Sequence, residues 1–208
     1  MADPEDRELV EQFARGDSNA FDTIVQRYEQ RVYAIALRMT GNVEDARDAM
    51  QDVFLSALRA LRSFRGDAQL STWFHRVAVN ASLDMLRKRK RHVAEPIEEA
   101  GERPSDEVGP EDAAARAARA AEVQRALLHV SADHRAVLVL HDLQDLDYAQ
   151  TGAALDIPVG TVKSRLHRAR IEMAALLGHL RETGSTEETQ PTEETEPTEG
   201  PEPLKEGR

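Results

Sequence analysis

Thr161, Lys163, Ser164, Arg165, His167, Arg168 and Arg170 place hydrogen-bonding side chains and cations on consecutive turns of one short segment. Hydroxyls, an imidazole and guanidinium groups at that density suit contacts to base edges and phosphate oxygens. The surrounding stretch from Tyr148 to Arg170, YAQTGAALDIPVGTVKSRLHRAR, has the form of a helix-turn-helix. Its first helix is expected over residues 148–155, with Gly152 as the small residue where two helices can cross closely. Asp156-Ile157-Pro158 ends that helix, because proline disfavours helical geometry in the residue before it. A second helix begins near Val159. Around it, Val162, Leu166, Ala169 and Met173 form an apolar stripe, with Thr161, Ser164, His167 and Arg168 opposite and Lys163, Arg165 and Arg170 on the flanks. An ordinary surface helix with a solvated basic face is the alternative. The turn, the small residue and the cation cluster together favour DNA binding.

Two other clusters carry charge in a pattern. Asp45, Asp48 and Asp52 fall on one helical face opposite Met50, Val53 and Ala57, and such a stripe repels itself unless a basic partner meets it. Arg87-Lys88-Arg89-Lys90-Arg91 is an unbroken basic run ending another helix. Alone it could merely complement the helix dipole. Asn80, Asp84, Arg87 and Arg91 repeat along the same helix; Asn and Asp are poor helix-interior residues, which points to a polar task or to a local bridge such as Asp84 with Lys88. Trp73 on that helix reads as core rather than as a wedge between bases. The seven histidines make no HExxH pair or metal-site spacing, and no glycine-rich phosphate loop occurs, so neither catalysis, a metal nor a cofactor is expected.

The elements that position these residues read as helices throughout. Phe21, Ile24, Val25, Tyr28, Val32, Ile35 and Met39 recur at helical spacing after Asp17-Ser18 and stop before Gly41. A second helix is expected from about Val43 to Leu61, and a third from an N-cap at Ser71 to about Arg91. Val123, Ala126, Leu127 and Val130 make another stripe, and Ser131 starts a helix carrying Val137, Leu138 and Leu140. No alternating run suggests a strand. The 208 residues carry a net charge of −11, but two segments hold more than all of it. Residues 94–112 carry eight acids and one base among prolines and glycines, and the Thr/Glu/Pro tract from Thr183 carries eight acids and two bases. The rest is slightly basic, so local rather than total charge is what a phosphate would meet. With too few apolar residues to bury, these segments read as a flexible linker and a disordered tail. The organisation expected is a first domain at 1–93, an acidic linker at 94–112, a second domain at 113–181 and a tail at 182–208. The chain has no cysteine, no signal-like core in its first 15 residues and no apolar run of the ~20 residues a bilayer requires, so a cytoplasmic chain not inserted in a membrane is expected.

The 13 residues PVGTVKSRLHRAR resemble region 4.2, the helix that reads the promoter −35 element, of the bacterial extracytoplasmic-function (ECF, group IV) sigma factors of the sigma-70 family. Asp156 departs from that pattern where a turn glycine is usual, and Ser131-Ala132 where Leu-Pro is usual. DARDAMQDVF, residues 45–54, resembles region 2.2, the polymerase-docking helix, with Arg47 in place of the usual acid. SFRGDAQLSTWFHRVAVNASLDMLRKRKR, residues 63–91, is similar to regions 2.3 and 2.4. The match covers about 160 of the 208 residues and looks most like the actinobacterial sigma-M type. What it implies is an all-α protein: a region 2 helical bundle and a region 4 domain with a helix-turn-helix, joined by the acidic linker. It implies an alternative sigma factor that binds core RNA polymerase and promoter DNA and is inhibited by an anti-sigma factor, with no catalytic residues. Core polymerase would meet Asp45, Asp48, Gln51, Asp52 and Phe54. The −10 element would meet Phe64, Arg65, Gly66, Asp67, Arg76, Asn80, Asp84, Arg87, Lys88 and Arg91. The −35 element would meet Thr161, Lys163, Ser164, Arg165, His167, Arg168 and Arg170.

Overall fold

The computed structural model describes residues 3–64, 69–92 and 110–186. Most of the expected acidic linker and of the Thr/Glu/Pro tail lies outside the described residues. Within them the regular structure is helical: α1 (Pro4–Ala14), α2 (Ser18–Thr40), α3 (Val43–Ala60), a 3-10 turn (Leu61–Ser63), α4 (Leu70–His92), α5 (Pro110–His129), α6 (Ala132–Leu138), a π-helical stretch (Val139–Leu143), α7 (Tyr148–Leu155) and α8 (Val159–Thr186). No described helix is long and apolar enough to cross a membrane.

Local chemistry sets most boundaries. The Asp17 carboxylate accepts the Asn19 amide at 3.0 Å and starts α2, and Gly41, at φ 72°, ends it in the left-handed region that suits glycine. Asn42 accepts the amides of Glu44 and Asp45 and starts α3. Helix α4 begins slightly earlier than the Ser71 cap predicts: the Gln69 carbonyl already accepts the Trp73 amide at 3.0 Å, which puts Ser71 inside the first turn. Helix α5 starts at Pro110, where proline's fixed φ and missing N–H fit a first helical position.

Helix α2 is the centre of the first unit, with α1, α3 and α4 against it. Its Ile24, Tyr28, Val32, Ile35 and Met39 are buried, and the Tyr28 ring stacks on Phe74 of α4 at 4.4 Å. Ala36, Ala46 and Ala49 are fully buried and let α2 and α3 approach closely. Trp73 is in the core, edge-on to Phe74, as its apolar spacing suggested. Helix α1, which the charged N-terminal sequence did not announce, is tied down by polar groups. Arg27 pairs with Glu5 and, at 2.7 Å, with Asp6, and the Tyr28 hydroxyl donates to Asp6 at 2.5 Å. These carboxylates hold the Arg27 guanidinium charged, and burial beside Asp6 pushes the Tyr28 phenol up. In the second unit α6 and α8 pack together with α5 and α7, around Leu127, Val130, Val137, Leu140 and Leu166.

His75 of α4 is 5% exposed and neither ring nitrogen has a hydrogen-bond partner among the described residues. Burial, aided by the nearby Arg31 charge, lowers its pKa from 6.5 to about 4. The unfolded chain therefore binds a proton more readily between those values, so stability is full above pH 6.5 and falls as the pH drops towards 4. Unfolding free energies from urea denaturation at pH 7 and pH 5 should differ by about 2 kcal/mol more in the natural protein than in His75→Leu. Equal losses in the two proteins would remove His75 as the cause.

Candidate nucleic-acid interface

The helix-turn-helix is built by short-range chemistry. Asp147 and Gln150 form a reciprocal capping box at the start of α7, with the Asp147 carboxylate accepting the Gln150 amide at 2.7 Å. The helix stops at Asp156, which takes φ 54° and ψ 46° and donates its amide to the Gly152 carbonyl. Aspartate tolerates this left-handed geometry better than most residues, so the usual glycine is dispensable here. Gly152 is not: a Cβ there would sit 2.9 Å from the Ile157 carbonyl oxygen. Pro158 then opens α8 by accepting the Val162 amide at 3.1 Å.

Helix α8 divides as its sequence predicts. Val162, Leu166 and Ala169 are buried, while Lys163, Ser164, His167 and Arg168 are exposed. Thr161 is half-buried, and its carbonyl accepts the Ser164 hydroxyl at 3.0 Å. The arginines differ from one another. Arg170 makes a two-pronged ion pair with Asp142, at 3.0 and 2.6 Å, and the hydrogen bonds to that carboxylate hold its guanidinium charged. Arg165 lies 3.4 Å from Asp133. Both brace α8 against the α6 region, whereas Lys163 and Arg168 point their charge outward. An aromatic pair that sequence reasoning overlooked borders this face. Tyr148 stacks on His141 at 4.6 Å, the Lys163 ammonium lies 5.4 Å from the Tyr148 ring centre, and His141 is oriented by a 2.6 Å bond with the Leu146 carbonyl. The only sequence signal for it is an aromatic at the first position of α7.

The first unit presents a second surface. Asn80, Asp84, Arg87 and Lys88 are exposed on α4, Arg76 is exposed one turn before them, and Arg91 lies in the last turn of the helix. Asp84 pairs with Arg87 at 2.8 Å, rather than with Lys88 as the sequence suggested. Phe64 is half-buried against the core; Arg65, Gly66 and Asp67 lie outside the described residues. On α3, Asp48, Gln51 and Asp52 are exposed, Asp45 is half-buried 3.5 Å from Arg89 of α4, and Phe54 packs inward against Phe74. A groove of about 410 Å³ joins the two faces, lined by Asp52, Leu55, Arg59, Asn80, Asp84 and Arg87 among others. The acidic ridge of α3 and the polar ridge of α4 are thus its two walls.

Comparison with known proteins agrees with this geometry. Residues 24–92 match the family model for sigma-70 region 2, and residues 120–173 match that for sigma-70 region 4. The chain is 41% identical over 175 residues to the ECF RNA polymerase sigma factor SigM of Mycobacterium tuberculosis, covering 84% of this chain and 86% of that one. It is 35% identical to SigW of Bacillus subtilis, covering 79% of this chain and 92% of SigW. Among solved structures, CnrH in complex with the cytosolic domain of CnrY matches with a TM-score of 0.63 at 29% identity, covering 84% of this chain and 98% of that one. The sigma factor RpoE of Bartonella quintana, in complex with the anti-sigma factor NepR, matches in fold with a TM-score of 0.63 at 24% identity, over 76% of this chain and 96% of that one. Two helical units in the order region 2 then region 4, each with its own polar face, together with that identity to SigM, establish that the chain belongs to the sigma-70 family as an ECF RNA polymerase sigma factor.

Proposed function

We propose that this chain acts in the cytoplasm by binding rather than by catalysis. The first unit, which we place at residues 1–93, docks on core RNA polymerase through Asp48, Gln51 and Asp52 and reads the −10 element through α4. The second, at 113–181, reads the −35 element through α8. The observation that carries this reading is the exposed Lys163, Ser164, His167 and Arg168 face on the second helix of a helix-turn-helix whose opposite face is fully anchored. Phosphate-directed cations fix such a helix on the duplex, and the hydroxyl, imidazole and guanidinium groups can reach base edges. Arg170 and Arg165 serve in positioning α8, through Asp142 and Asp133. An anti-sigma factor is the expected inhibitor; a relevant precedent is CnrH, 29% identical, whose structure includes the cytosolic domain of a second protein.

Run-off transcription with purified core polymerase on pooled promoter fragments tests the whole reading. Discrete products that appear only on addition of this protein are expected. Duplex binding without such products would reduce it to a DNA-binding regulator. For the −35 contact, Arg168→Ala should weaken use of −35-dependent promoters by about 1–3 kcal/mol and abolish discrimination at one base position. Undiminished discrimination against −35 mutants would remove Arg168 from the reading set.

A further inference from the structure

Gly160 and Ser164 sit one turn apart on the outward face of α8, opposite the buried Val162, Leu166 and Ala169. Each carries a feature that the fold itself does not require. Gly160 lies in the first turn of the helix, where glycine is a poor choice unless the backbone or a neighbour demands it. Neither does. Its φ is not positive, and a Cβ built there would meet nothing within 4 Å. Gly16 and Gly41, by contrast, hold left-handed turns, and Gly152 sits against the Ile157 carbonyl. Gly178 is equally open, but it lies ten residues beyond Arg168, ~15 Å further along the helix. Ser164 has its only hydroxyl proton engaged: it donates to the Thr161 carbonyl at 3.0 Å, and a carbonyl can only accept. The exposed serine oxygen therefore offers an acceptor and no donor.

We propose that these two residues read one A·T pair of the −35 element: Ser164 accepts a hydrogen bond from the adenine N6 amino group, and the thymine methyl packs on the bare backbone at Gly160. The inference rests on the −35 role proposed above for α8. The chemistry of the base edges selects the pair. In the major groove adenine and cytosine offer amino hydrogens, whereas guanine offers only acceptors. A serine oxygen with no proton to give is therefore attracted to adenine or cytosine and repelled by guanine. Gly160 separates the two that remain. Thymine alone projects a methyl group into the groove, beside the O4 that faces the adenine amino group. A methyl needs room and apolar surface, and the uncovered Gly160 Cα supplies both, with the exposed Val159 next to it. The ~5–6 Å between side chains one turn apart suits two groups of a single pair. Both residues belong to the first two turns of α8, the part of such a helix that contacts base edges.

The test uses polymerase holoenzyme assembled with the full chain, on a promoter mapped by run-off transcription, with binding followed by fluorescence anisotropy. Each thymine of the −35 element is replaced in turn by uracil, which lacks only the methyl. At one position the natural protein should bind the uracil duplex about two- to fourfold more weakly. Gly160→Ala should bind the unmodified promoter about five- to fiftyfold more weakly, because its own methyl fills the same space, and should prefer uracil at that position. Urea denaturation should show this variant at least as stable as the natural protein, since alanine is the better helix former, which separates lost contact from lost fold. At the same pair, Ser164→Ala should lose about fivefold or more of its discrimination against G·C in place of A·T. Gly160→Ala binding as tightly as the natural protein, the absence of its reversed preference for uracil, or unchanged discrimination in Ser164→Ala would each overturn the proposal. A natural holoenzyme indifferent to every −35 substitution would instead overturn the promoter reading itself, and this inference with it.

Discussion

Changing Asp48 and Asp52 together to lysine is expected to weaken binding to core RNA polymerase at least ~100-fold while leaving the fold intact, since like charges set against each other at an interface cost several kcal/mol. The two carboxylates are exposed one turn apart on α3, and no ion pair holds either among the described residues. Asp45, the third member of the stripe, is already engaged by Arg89 of α4. The charge that the proposed docking would use is therefore concentrated at Asp48 and Asp52. Their own fold gains nothing from them, because acids at this spacing repel one another mildly. Titrating fluorescently labelled protein with core enzyme measures the loss, and binding of the same variant to −35 duplex supplies the control. Affinity for core within twofold of the natural protein would refute the docking role of this ridge.

Replacing Arg135 with methionine should cost about 3–5 kcal/mol of stability, since each buried carbonyl left without a partner costs about 1–3 kcal/mol. Methionine approximates the length and apolar stem of the arginine but leaves the Met39, Leu128 and Val130 carbonyls without their donor. Burial lowers the pKa of the guanidinium, a measure of how completely the group has left water. Arg135→Lys should fall between the two, since one ammonium cannot reach all three carbonyls with the geometry of a planar fork. Urea denaturation of the three proteins decides the matter. A methionine variant within 1 kcal/mol of the natural protein would mean that water or relaxed backbone satisfies those carbonyls at little cost.

Arg135 also marks where the sequence stops being legible. The stripes of α2 and α8, the left-handed aspartate at the turn and the caps at Asp17 and Ser131 are local, and each is written within a few residues of where it acts. Helical periodicity reports which face is apolar, and here it placed Val162, Leu166 and Ala169 correctly in the core. It carries no information about which distant group will meet a helix end. Arg135 and Met39 are 96 positions apart, and an arginine beside a histidine on a short helix reads as surface. The same blindness explains α1, a helix that local spacing does not announce and that Arg27 ties to α2. It also explains α8, where the three flanking cations read alike and two of them, Arg165 and Arg170, have acidic partners from α6 and the stretch that follows it.

That unequal pairing reaches into solution behaviour. A cation already neutralised by a carboxylate has little charge left with which to displace counterions from DNA. Counterion release sets the dependence of affinity on salt, with a logarithmic slope near −0.9 for each phosphate neutralised. Four free cations on α8 would give a slope of about −4, whereas Lys163 and Arg168 alone give about −2. On the proposed −35 role, the second unit is therefore expected to bind with an affinity that rises and falls gently with ionic strength, leaving discrimination between sequences correspondingly more to the groups that reach the bases.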